Sequence, residues 1–222
     1  MMLADNIRAI KETLQRESAS SLTLPKIIAV TKTVSTKEMF PLSMHGIQDV
    51  GENRVQTIME KMPEIKNKFQ IHMIGRLQRN KIKYIINEVC LIHSVDTLSL
   101  AQEIDKQAAK HDKIMPILLQ VNVSGETQKA GVSPQQSLQL FTACDKMQNL
   151  RVKGLMTVLP IDANEEEQFR WFSQTKEILE QVQQVALHPK EVTELSMGMS
   201  RDYVMAVRAG STMVRIGTSL FR

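Results

Sequence analysis

Only two cysteines occur in the 222 residues, Cys90 and Cys144, with no second cysteine near either. That excludes a disulfide framework and a cysteine metal knuckle, and it fits a reducing cytosol. Aromatic residues are scarce: six Phe, two Tyr and one Trp, too few for a base-stacking platform. The basic excess is small, 28 Lys and Arg against 24 Asp and Glu, and it is spread out. No block of about five or six like charges exists to grip a phosphate backbone, so nucleic acid is not an expected partner. Long apolar runs are missing too, none approaching the roughly 18 residues of a membrane helix. The first segment, MMLADNIRAIKETLQRES, carries Asp5, Arg8, Lys11 and Glu12 where a signal peptide needs an unbroken apolar core. A cytoplasmic protein with no membrane partner is the expectation.

What the sequence does have is regular alternation. Eight short apolar bursts recur: KIIAVT (26–31), GIQDVG (46–51), IHMIG (71–75), CLIHSVD (90–96), PILLQVNV (116–123), VKGLMTV (152–158), TELSMG (193–198) and STMVRIG (211–217). Each reads as a strand buried on both faces, as in a parallel sheet. Helical patterns fill the gaps. Leu3, Ile7, Ile10 and Leu14 make one apolar stripe. Ser133-Pro134 opens a helix with Leu138, Phe141 and Met147 inward, and Asn164 with Glu167 forms a capping box ahead of Phe169, Phe172, Leu179 and Val182. Shorter helices are expected after Thr36, Gly51, Leu77 and Thr97, and a last one over about 201–209, closed by Gly210. Strand and helix in strict alternation predict an α/β (β/α)8 TIM barrel, with a doubly wound sheet as the alternative. No linker or composition shift divides residues 1–222, which read as one domain. The N-terminal helix precedes the first strand and is placed to fill the position of a missing eighth helix.

In such a barrel the active site gathers at the C-terminal ends of the strands. Polar residues collect there: Lys32 after strand one, Gly51-Glu52-Asn53 after strand two, and Asn122-Val123-Ser124-Gly125 after strand five. Strand three carries His72 and ends at Gly75, while strand four holds His93 and Asp96. Ser196-Met197-Gly198-Met199-Ser200 and Arg215-Ile216-Gly217-Thr218 close strands seven and eight. Gly with Ser or Thr at two adjacent exits offers backbone N–H groups and hydroxyls to an anion, which points to a phosphate. A lysine beside it, partly desolvated, would offer a free amine for Schiff-base chemistry. Pyridoxal 5'-phosphate and the sugar-phosphate substrates of aldolases both satisfy that pair. His72 and His93 read more readily as satisfied core groups than as ligands, and no His/Asp/Glu cluster has metal spacing. Asn53 suits a helix cap and a ligand equally.

The motifs AVTKT (29–33), GENRVQ (51–56), IHMIGRLQRNK (71–81), HSVD (93–96), QVNVSGETQKAGV (120–132), VKGLMTV (152–158) and LSMGMSRDYVMAVRAGSTMVRIGTSLF (195–221) occur in this order. On them the chain resembles the pyridoxal phosphate homeostasis proteins, which are alanine racemase N-terminal-domain-like, and the resemblance spans nearly the whole sequence. It implies pyridoxal 5'-phosphate held as an internal aldimine on Lys32. Phosphate contacts would come from Ser200, Gly217 and Thr218, and Arg215 would face the pyridine nitrogen. Asn53 and His72 would lie near the cofactor. Met73 stands where the family commonly has an aromatic, and Arg201 where an acidic residue is frequent. The resemblance implies a role in vitamin B6 and amino-acid homeostasis with no catalytic residue, PLP-dependent apo-enzymes as partners, and a monomer. The alternative is a PLP-dependent amino-acid racemase or lyase. Against it, an arginine can only donate to the ring nitrogen, which leaves the ring a poorer electron sink. Tyr84 and Tyr203, the two tyrosines, fall on predicted helices, and the second domain that gives true racemases a catalytic tyrosine is not expected.

Overall fold

All eight apolar bursts form strands: β1 (Lys26–Val30), β2 (Asp49–Glu52), β3 (Gln70–Met73), β4 (Leu91–Val95), β5 (Met115–Gln120), β6 (Leu150–Met156), β7 (Glu194–Met199) and β8 (Met213–Ile216). Every pairing is parallel, and β1 joins both β2 and β8, so the sheet closes into an eight-stranded barrel. The computed structural model describes residues 2–18 and 23–222; Met1, at the head of the N-terminal segment read above, lies outside them. No helix among the described residues is long and apolar enough to cross a membrane.

Alternation along each strand divides the core in two. Ile27 and Ala29 of β1 join the large cluster between sheet and helices, while Ile28 joins Leu91, Leu118, Met156 and Met213 inside the barrel. The helices are α1 (Met2–Glu17), α2 (Thr36–Met44), α3 (Val55–Ile65), α4 (Leu98–Ala109), α5 (Pro134–Asp145), α6 (Glu165–Val185), α7 (Tyr203–Arg208) and α8 (Thr218–Phe221). The segment 79–84, expected as an amphipathic helix, is a 3-10 helix. The capping box at Asn164 and Glu167 is present, and Ser35 with Glu38 forms another at α2.

Two face assignments need correction. Leu138 is 38% exposed; the buried stripe of α5 is instead Ser137, Leu140, Phe141 and Cys144, spaced three, one and three. A residue one position off such a stripe turns about 100° away from it. Phe169, in the second turn of α6, is 44% exposed, whereas Phe172, Leu179 and Val182 are buried. The last expected helix is also shorter, spanning Tyr203–Arg208, and Gly210 follows it at φ +100. After β8 comes α8, a single turn. The N-terminal helix α1 seats against this end: Asn6 Nδ2 donates to Leu220 O at 3.0 Å and Arg208 Nε to Glu17 Oε2 at 2.7 Å.

The surroundings of both cysteines favour the protonated thiol. Burial and the nearby Asp49 charge push the Cys90 thiol up to about 12, and burial with Asp145 does the same for Cys144. At about pH 8 that leaves roughly one thiolate in ten thousand. Ellman's reagent should therefore label neither cysteine in the folded protein and both after unfolding; fast labelling of the native form would contradict this burial.

Candidate functional site

A cavity of about 450 Å³ opens at the C-terminal mouth of the barrel, walled by the exits of β1, β6, β7 and β8. Lys32 lines it from the turn that follows β1, and it is an exposed residue rather than the partly desolvated one expected. The backbone leading to it is pinned from behind. Lys61 Nζ donates to Thr31 O at 2.6 Å and to Glu52 Oε1 at 2.7 Å, and Thr31 Oγ1 donates to the same carboxylate oxygen at 2.6 Å. Glu52 is fully buried, so this charged hydrogen-bonded cluster holds the β1 and β2 exits in fixed relation.

Across the cavity, β7 delivers Ser200. Its Oγ accepts the backbone N–H groups of Gly217 at 3.3 Å and Ser219 at 3.2 Å. Both bonds are longer than the usual 2.9–3.0 Å for N–H···O, so a better acceptor can take over these donors at little cost. Gly217 and Thr218 complete this wall. The close approach of α7 behind it depends on Gly198, at φ +95. A Cβ there would come within 2.7 Å of Ala206 Cβ and 2.9 Å of Tyr203 Cα. Gly198→Ala should destabilise the protein by about 1–3 kcal/mol, read as a lower urea midpoint, because strained φ and overpacking act together. A midpoint equal to wild type would show that α7 can shift freely.

The floor is Arg215, only 4% exposed. Nη1 donates to Ser196 O at 2.6 Å and to Ser196 Oγ at 2.7 Å, and Nη2 donates to Thr157 O at 2.7 Å. Those bonds use three of the five guanidinium N–H groups. Burial lowers the Arg215 pKa to about 10, opposed by the charge of Asp202. Even so it stays a cation at neutral pH. Asp202 Oδ1 accepts the Met199 N–H at 2.5 Å and so shapes the loop carrying Ser200. Burial raises its pKa, while that N–H and Arg215 pull it down. Lys32, Arg201, Arg215 and Arg222 line the cavity, and Asp202 supplies its one acidic side chain. Such a field selects an anion.

Five of the seven residues singled out in the sequence therefore meet here: Lys32, Ser200, Arg215, Gly217 and Thr218. The other two line other cavities. Asn53 follows β2 and borders a separate depression with Arg54, Arg76, Arg79 and Lys81. It does not cap α3, whose N-cap position is Arg54 with no side-chain cap bond, and its Oδ1 is buried without a hydrogen-bond partner. His72 lies inside the barrel, its Nδ1 2.9 Å from His93 Nε2 and its Nε2 2.9 Å from Asp49 Oδ1. It borders the N-terminal mouth of the barrel with Lys26 and Asp49, away from Lys32. Both histidines are satisfied core groups. Sequence reasoning passed over Asp202, Arg222 and the β6–α6 segment Leu159–Ile161. An acidic residue directly after a polar strand exit and before a helix was the available signal for Asp202.

Among known proteins, the family described as "Alanine racemase, N-terminal domain" matches residues 2–222. A protein of Aquifex aeolicus named "Pyridoxal phosphate homeostasis protein" is 39% identical over 197 residues, covering 88% of this chain and 86% of that one. One of the same name from Vibrio cholerae is 31% identical and covers 98% of this chain and 93% of its own. PipY of Synechococcus elongatus, solved with PLP bound, superposes with a TM-score of 0.88 at 29% identity, over 99% of this chain and 100% of that one. Alanine racemase of Corynebacterium glutamicum, at 15% identity and a TM-score of 0.77, shares the fold over 60% of its length. The chain thus belongs to the pyridoxal phosphate homeostasis protein family, built on the alanine racemase N-terminal domain.

Proposed function

We propose that this protein binds pyridoxal 5'-phosphate in the Lys32 cavity and serves to hold and hand on the cofactor rather than to turn over a substrate. One observation carries the reading: an amine, a buried guanidinium and a hydroxyl with two exchangeable amide donors face one cationic cavity of about 450 Å³. The donor set fits the cofactor's three polar ends. Lys32 offers the amine for the aldehyde, Ser200 with the Gly217 and Ser219 amides and Thr218 offers donors for the phosphate, and Arg215 offers N–H groups to the ring nitrogen. Bound there, the cofactor supplies an aldehyde that captures an amine reversibly. PipY, solved with PLP bound, and the relatives named for pyridoxal phosphate homeostasis support the assignment.

A carrier is favoured over a racemase by what the residues can do with protons. Arg215 can donate to the ring nitrogen but cannot accept a hydrogen bond from a protonated one, so that nitrogen stays unprotonated and the ring a weak electron sink. Tyr84 ends the 3-10 helix and Tyr203 opens α7, and neither lines the cavity as a second base. Exposure of Lys32 suits release, since an incoming amine reaches the attachment point from solvent. In this reading residues 1–222 act as one domain and a monomer in the cytoplasm, passing the cofactor to PLP-dependent apo-enzymes. Incubation of the loaded protein with single-enantiomer alanine should leave optical rotation unchanged over hours. Racemisation at ordinary enzyme rates, on the order of 1–1000 per second, would establish the enzyme instead.

A further inference from the structure

Inside the barrel a line of polar side chains crosses the apolar core from the cavity floor to the opposite mouth. Arg215 Nη1 lies 2.7 Å from Ser196 Oγ, and that oxygen lies 2.9 Å from His93 Nδ1. His93 Nε2 lies 2.9 Å from His72 Nδ1, and His72 Nε2 lies 2.9 Å from Asp49 Oδ1. Ser196, His93 and His72 are buried, with His93 and Ser196 fully so. Buried polar groups need partners, which makes the line a bookkeeping problem with few solutions.

The two ends fix the protons between them. A guanidinium can only donate, so Ser196 Oγ is the acceptor of the Arg215 bond. The serine proton then has one partner along this line, His93 Nδ1, which must be unprotonated. His93 therefore carries its proton on Nε2 and donates it to His72 Nδ1. His72 in turn carries its proton on Nε2 and donates to Asp49, whose ionised carboxylate can only accept. Every donor meets an acceptor. A cationic His72, or His93 protonated on Nδ1, would reverse the middle of the line and leave the buried Ser196 hydroxyl proton with no acceptor on it.

We propose that Asp49, His72, His93 and Ser196 form a one-way hydrogen-bond relay, both imidazoles being neutral Nε2–H tautomers, that acts as a positioning device for Arg215. By turning a serine lone pair towards Nη1, the relay fixes which guanidinium N–H groups remain for the cavity. The surroundings agree. Burial, with the Arg215 and Lys26 charges, holds the His93 pKa well below the usual imidazole range. Burial would raise the Asp49 pKa, but the His72 hydrogen bond and Lys26, 3.3 Å away, hold it below the usual carboxylate range. The relay itself is independent of any ligand; its consequence for pyridoxal phosphate rests on the cavity reading above.

Two measurements test it. In the cofactor-free protein labelled with 15N-histidine, side-chain spectra at neutral pH should show His72 and His93 neutral and protonated on Nε2. A cationic His72, or His93 protonated on Nδ1, overturns the proposal. In the loaded protein, Asp49→Ala should shift the cofactor's absorption band and weaken its hold by roughly tenfold, while Asp49→Asn, whose carbonyl still accepts the His72 proton, keeps most of both. A folded Asp49→Ala protein with wild-type spectrum and hold overturns the positioning role. Failure of the wild type to take up pyridoxal phosphate would instead condemn the cavity reading and leave the tautomer result to decide the relay.

Discussion

Lys32→Ala should abolish covalent attachment of pyridoxal phosphate while leaving the barrel folded. Lys32 lies in a turn, is exposed, and belongs to neither hydrophobic cluster, so its truncation removes little packing. Surface changes of this kind cost about 0.5 kcal/mol or less. The Ser200 hydroxyl and the Gly217 and Ser219 amides stay in place, so cofactor should still bind, but through its phosphate and ring alone. Borohydride treatment followed by intact mass measurement separates the cases. Wild type should gain one phosphopyridoxyl group and the variant none. A variant that still traps the group would move the attachment point to another lysine.

Arg215→Glu has a larger effect on the fold. The sequence by itself suggests this change as a spectral probe, one that lets the ring nitrogen keep a proton. The structure makes it a folding probe first. A carboxylate there would face Ser196 O and Thr157 O, two buried carbonyls that now accept from the guanidinium. Losing a buried charge's partners costs about 3–5 kcal/mol, against a total stability of about 5–15 kcal/mol for a typical domain. We expect the urea midpoint to fall steeply and soluble yield with it. Arg215→Lys keeps the charge but cannot fork to three oxygens, so it should be milder in stability and better suited to spectroscopy. A wild-type midpoint for Arg215→Glu would mean that the guanidinium is not held by those carbonyls.

Much of the barrel was legible because burial on both faces writes a parallel strand as a short apolar burst. That pattern located all eight strands, and the position of Lys32 and Ser200 just past two of them followed from chain order. Helix faces were harder. Leu138 and Phe141 are three apart and both apolar, yet only Phe141 is buried, because the stripe is set by Ser137 and Cys144 as much as by the larger side chains. Depth inside the barrel was not legible at all. Strand alternation says that His72 faces inward, but the stagger between strands decides which residues share a layer. Here His72 pairs with Gly51 and Leu91, near the start of β4, which sets it low in the barrel beside Asp49 rather than near Lys32. Asn53 is displaced for a related reason: β1 stands between its strand and β8, and its exit opens onto a different depression.

In the proposed site, one amine at the mouth of β1 captures a phosphorylated aldehyde whose phosphate rests between β7 and β8. The most direct test is peptide mapping of wild-type protein loaded with pyridoxal phosphate and reduced with borohydride. A single phosphopyridoxyl modification is expected, on Lys32, suppressed when excess inorganic phosphate competes during loading. Modification spread over several surface lysines, or confined to a different one, would contradict it.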